Sequence, residues 1–86
     1  MDEIEQYRKQ IDEIDEQILT ALCQRVKICK AIGAAKKKRG LPIRNVSRED
    51  EIYKRVKQWA ADFHLNLHQV EAVYREIVNM CSAVQE

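Results

Sequence analysis

From Asp2 to Lys38 the chain contains no proline and a single glycine, Gly33. Acidic residues crowd the start of this stretch and lysines its end, which suits the helix dipole at both termini. The segment therefore reads as one helix of about 37 residues, about 55 Å long at 1.5 Å per residue. In a chain of 86 residues, nothing else is long enough to cover the apolar stripe of such a helix. Two long helices from different chains, crossing or running side by side, would cover it. Only two glycines and one proline occur in all, which argues against a many-turned β-sandwich and against collagen-like or low-complexity chains.

Arg39-Gly40-Leu41-Pro42 ends the first helix, because glycine serves as a C-terminal cap and proline cannot continue it. Ser47, with Asp50 three residues on, reads as the N-cap of a second helix through Ile52, Val56, Trp59, Ala60 and Phe63. Asn66, with Gln69 three residues on, opens a third through Val70, Val73, Tyr74, Ile77, Cys81 and Val84. The expected architecture is all-α, with a long, a short and a medium helix. Residues 1–86 read as a single domain.

The net charge of +1 conceals a division along the chain. Met1 to Thr20 holds seven acids against two bases, a net of −5. Arg25 to Arg48 holds nine bases and no acid, a net of +9. Glu49 to Glu86 holds seven acids and four bases, a net of −3. A small anion near the cationic third is implied, whereas a nucleic-acid binder usually carries a basic excess over the whole domain.

Cys23, Cys29 and Cys81 form neither an even disulfide set nor a C-x-x-C motif. They read as reduced thiols that act as small buried apolar groups. The N-terminus lacks a signal-peptide apolar core, and no apolar run approaches the ~20 residues of a membrane span. A cytoplasmic protein with no membrane partner is expected.

On a helical wheel, Ile4, Tyr7, Ile11, Ile14, Ile18, Leu22, Cys29 and Ile32 fall within an arc of about 80°. Arg25 and Lys36 fall inside the same arc, while Lys9, Lys27, Lys30, Lys37 and Lys38 lie outside it. A buried cation without a counter-charge is costly. Glu49 lies on the apolar side of the second helix, and on the third Cys81 lies within the apolar arc and Gln85 on its edge. Taken singly, Arg25 or Lys36 is a snorkelling side chain, Glu49 a first-turn dipole acid, Arg8 a surface residue and Gln85 a frayed end. Together, inward polar groups from three helices describe a polar pocket within a helical bundle.

His64 and His68 are four apart, but Leu65-Asn66 reads as a helix boundary between them and no third ligand is spaced nearby. No metal or cofactor is expected. Lys36-Lys37-Lys38-Arg39 reads as a solvated helix end, and Trp59 with Phe63 as core residues.

Arg8, the run Ile11-Asp12-Glu13-Ile14-Asp15, Arg25, Gly33-Ala34-Ala35-Lys36, Pro42-Ile43-Arg44-Asn45, Arg48-Glu49 and Gln85 together resemble the all-helical chorismate mutases, in their short, single-activity form. The resemblance covers nearly the whole chain. It implies an intertwined homodimer of three-helix chains that rearranges chorismate to prephenate on the way to phenylalanine and tyrosine. It also implies roles: Arg8 from the partner chain on one carboxylate and Arg25 on the other. Lys36 and Gln85 would donate to the ether oxygen of the breaking bond, and Glu49 would accept from the substrate hydroxyl. Arg48 and Asn45 would close the pocket. Asn45 stands where many relatives have Asp, and Cys81 where Ser is common, so a hydroxyl donor to a carboxylate gives way to a weaker thiol and slightly weaker substrate binding is expected.

Such a rearrangement needs no nucleophile, only a dianion held in a compact conformer and donors aimed at the oxygen where charge grows. An isochorismate pyruvate-lyase on the same scaffold is the nearest rival. A non-catalytic helical dimerisation module, for which Arg25 and Lys36 would face outward, is the other.

Overall fold

The computed structural model describes residues 2–86, an elongated body of 57 × 24 × 15 Å. It comprises α1 (Glu3–Arg39), α2 (Val46–Asp62) and α3 (Leu67–Ala83). The long helix is uninterrupted over 37 residues. Asp2 caps its N-terminus, accepting from the Glu5 N–H at 2.9 Å. Gly40 ends it at φ 65°, a left-handed conformation that glycine adopts without strain.

The second helix starts earlier than expected. Asn45, not Ser47, is its N-cap, accepting from the Arg48 N–H at 3.0 Å. Asparagine caps at least as well as serine, and the earlier cap lets the Asn45 carbonyl accept from the Glu49 N–H. The second helix closes with Leu65 N–H bonded to the Ala60 carbonyl and His64 N–H to that of Ala61. His64 takes the left-handed position there, at φ 58°. Asn66 caps α3 by accepting from Gln69 N–H at 2.9 Å, as anticipated. His64 and His68 thus stand on opposite sides of the α2–α3 junction.

The third helix packs against both others and is the bridge between them. Among the described residues the buried apolar set is small: Cys29, Val56, Ala60, Val78 and Cys81. Two expectations fail here. Trp59 and Phe63 are not core residues; they are 49% and 71% exposed. The apolar arc of α2 is wider than α3 can cover, and Trp59 instead lies under the Arg55 guanidinium, 5.9 Å from its ring centroid. Cys23 is exposed as well, while Cys29 and Cys81 are buried.

The N-terminal half of α1 is exposed throughout its apolar stripe, at Ile4, Tyr7, Ile11, Ile14 and Ile18. None of the helices among the described residues is long and apolar enough to cross a membrane.

Gly33 sets the spacing of α1 and α3. A Cβ built on it would lie 2.8 Å from the Gln85 Cα, closer than packed atoms tolerate. Gly33→Ala should therefore destabilise the fold by about 1–3 kcal/mol through overpacking, read as a lower midpoint in thermal circular dichroism. An unchanged or higher midpoint would contradict the close approach.

Candidate active site

At the C-terminal half of α1, all three helices and the α1–α2 loop converge on a cleft of about 290 Å³. Seven of the eight site residues expected from the sequence line it: Arg25, Lys36, Asn45, Arg48, Glu49, Cys81 and Gln85. The eighth, Arg8, does not. Seventeen residues before Arg25, it stands about 25 Å away along α1, exposed and paired with Glu5 at 2.8 Å.

Helical spacing explains the convergence. Arg25, Cys29, Gly33 and Lys36 recur every three or four residues, so they share one face of α1. Cys81 and Ser82 line the cleft from α3, and Gln85 follows just past the Val84 cap. Arg25 donates from Nη1 to Cys81 Sγ at 2.8 Å, with Cys29 Sγ at 3.9 Å from the same nitrogen. Lys36 donates from Nζ to Gln85 Oε1 at 2.8 Å and to the Ile43 carbonyl.

An ammonium has three donors, so Lys36 keeps one for a ligand, and the Gln85 amide group keeps its N–H donors. Gln85 N–H is itself bonded to the Ser82 carbonyl. With the Lys36 bond and the seat on Gly33, this fastens the residue that the sequence marked as prone to fray.

Both cations are half-buried, and among the described residues neither has a carboxylate at salt-bridge distance. Half-buried positive charge held by neutral oxygen and sulfur favours an anionic ligand. The Cys81 sulfur accepts from Arg25, and its S–H remains a weak donor. Its neighbour Ser82 lines the same cleft, and a hydroxyl is the stronger donor.

Glu49 is one-fifth exposed and held by Arg44, whose Nε and Nη2 each donate to a carboxylate oxygen at 3.0 Å. Nη2 also reaches Asn79 Oδ1 at 3.2 Å, tying the loop to α3. The Arg44 hydrogen bonds hold the Glu49 carboxyl below its usual range, outweighing the opposing effect of burial. Asn45 spends its side-chain oxygen on the α2 cap and keeps its amide N–H donors. Arg48 is exposed and paired with Glu51 at 3.2 Å.

Sequence reasoning missed Arg44 as the partner of Glu49, Ser82 as a lining hydroxyl and the Ile43 carbonyl. The positive charge of Arg44 five residues before an inward acid was the available signal for the first. Backbone carbonyls leave no such mark.

The Arg44–Glu49 pair has a measurable signature. In Arg44→Gln the Glu49 carboxyl should titrate at higher pH than in the parent, followed by NMR of its side-chain carbon. Because the folded-state value is depressed, stabilisation by this pair is present above the unfolded value and is lost as pH falls through the folded one. An unchanged titration would remove Arg44 as the cause.

Residues 7–86 match the family described as Chorismate mutase type II. The whole chain aligns at 37% identity over 89 residues with a bifunctional chorismate mutase/prephenate dehydratase of Aquifex aeolicus, spanning 25% of that protein. It aligns at 26% identity with a chorismate mutase of Methanocaldococcus jannaschii, spanning 87% of that one. A solved structure of a conserved hypothetical protein from Pyrococcus furiosus superposes with TM-score 0.76 at 34% identity, over 96% of this chain and 95% of that one.

Proposed function

The chain belongs to the chorismate mutase type II family, and from that premise we propose that its cleft rearranges chorismate to prephenate. The observation that carries this reading is the pairing of Lys36 Nζ with the Gln85 amide at 2.8 Å, with Arg25 lining the same cleft. In the rearrangement a carbon–oxygen bond breaks as a carbon–carbon bond forms, and negative charge grows on the departing ether oxygen. Lys36 and Gln85 place two donors together for that oxygen, which is stabilisation realised in the transition state.

Arg25 binds one substrate carboxylate, assisted by the Ser82 hydroxyl. Glu49, kept ionised by Arg44, accepts from the substrate hydroxyl. The amide N–H donors of Asn45 and the guanidinium of Arg48 close the mouth. With the dianion held compact, the step proceeds within one molecule and needs no covalent intermediate.

The second carboxylate calls for one more cation, and Arg8 cannot reach its own cleft. A homodimer meets this need: the bare stripe of α1 packs on the partner and carries each Arg8 to the other chain's cleft. A cytoplasmic place among the reactions of phenylalanine and tyrosine synthesis fits this activity.

The direct test mixes purified protein with chorismate, follows the loss of its ultraviolet absorbance and identifies the product. Prephenate is expected, with Lys36→Ala lowering kcat roughly 10²–10³-fold. No turnover above background, or salicylate from isochorismate as the only product, would sink the reading. The shared site has its own test. Arg8→Ala and Arg25→Ala proteins, each inactive, should regain activity when their subunits are mixed, because one hybrid cleft is intact. Persistent inactivity despite demonstrated subunit exchange would argue against Arg8 acting in trans.

A further inference from the structure

Two thiols stand in the cleft that the proposed reaction does not require. Cys29 comes from the middle of α1 and Cys81 from the last turn of α3, 52 residues later in the chain. Their sulfurs share one nitrogen, Arg25 Nη1, at 3.9 and 2.8 Å. Both residues are buried from the outside yet line the cleft, so a molecule small enough to enter the cleft meets both. Burial, then the hydrogen bond with Cys81, pushes the Cys29 thiol up from its ordinary range. The third cysteine, Cys23, is exposed and does not line this cleft.

We infer that Cys29 and Cys81 form a dithiol modification site inside the cleft, which a small hydroperoxide such as hydrogen peroxide converts to a disulfide that joins α1 to α3 and impairs substrate binding. The order of events follows from the surroundings. The Cys81 sulfur, beside the guanidinium charge, attacks one peroxide oxygen; the oxygen–oxygen bond breaks, water leaves and a sulfenic acid forms. The Cys29 sulfur then attacks the Cys81 sulfur, the sulfur–oxygen bond breaks and a second water departs. Two thiols are oxidised, one peroxide is reduced and two waters are produced.

The consequence for the cleft is geometric. A disulfide draws the two sulfurs to about 2 Å. The helices themselves have no slack to close, because the Gln85 backbone already rests on Gly33. The side chains must rotate instead, which takes Cys81 Sγ off Arg25 and releases the guanidinium from its seat. The loss falls on the group proposed to bind a carboxylate, so KM should rise by about tenfold.

The regulatory half of this inference rests on the proposed activity, and the experiment separates the two. The Cys23→Ser protein, which removes the exposed thiol, is treated with hydrogen peroxide under native conditions, quenched and analysed by intact mass and peptide mapping. The expected result is a loss of about 2 Da, two hydrogens, and a Cys29–Cys81 linked peptide. KM for chorismate should rise about tenfold and recover with dithiothreitol. Cys29→Ala and Cys29→Ser, each compared before and after peroxide, should lose the reversible response. Absence of the linked peptide, or a linked protein with unchanged kcat/KM, overturns the inference. A reduced protein that fails to turn over chorismate overturns the proposed function instead, while the peptide map still decides whether the thiols pair.

Discussion

Gly33 is where α1 yields to the end of α3, and the missing Cβ lets the Gln85 backbone lie against the helix surface. Much of the cleft depends on that approach. Lys36, three residues on, shares the Gly33 face and so meets the Gln85 amide. Cys29, four residues back, meets Cys81, and Arg25, four further back, caps the row. A larger residue at position 33 would hold α3 off and separate each of these pairs together. One unsubstituted position in a helix of 37 residues thus coordinates every polar contact between α1 and α3.

The charges follow a similar economy. Arg44 lies outside the cleft lining, yet it holds Glu49 ionised and, through Asn79, fixes the loop to α3. Arg25 and Lys36 are treated differently. Their protein partners are sulfur, an amide oxygen and a backbone carbonyl, none of which cancels a positive charge. An acid placed beside them would have stabilised the empty protein and competed with an anionic ligand. Bonding them directly to neutral partners, with Glu49 held by Arg44 instead, keeps much of the field in the cleft available for substrate.

Much of this was legible in the sequence because helices are periodic. The first helix, its Gly40 stop, the Asn66 cap and the inward angles of Arg25, Lys36 and Glu49 all follow from spacing. What failed were matters of competition. Ser47 and Asn45 are both good caps, and only the hydrogen bonds of the folded loop choose between them. Trp59 and Phe63 have the right periodicity for a core, but periodicity gives the direction of a face and not whether anything covers it. The Arg25 guanidinium donating to the Cys81 sulfur is a contact between distant residues that side-chain type alone does not mark. The family resemblance supplied roles for these residues, and the geometry supplied the partners, Arg44 and Ser82, that it did not mention.

The two halves of α1 pose one physical problem. Its C-terminal half forms a wall of the cleft, while its N-terminal half carries Ile4, Tyr7, Ile11, Ile14 and Ile18 in the open. Helices in proteins owe most of their stability to the packing of an amphipathic face, and here half of that face lies exposed among the described residues. The proposed dimer resolves this in the same stroke as the missing cation, because the stripe that must be covered runs beside Arg8. Covering the apolar face and delivering the guanidinium then become a single event. The cleft would acquire its full charge only when the long helix acquires its full packing, so folding, assembly and substrate binding draw on one surface.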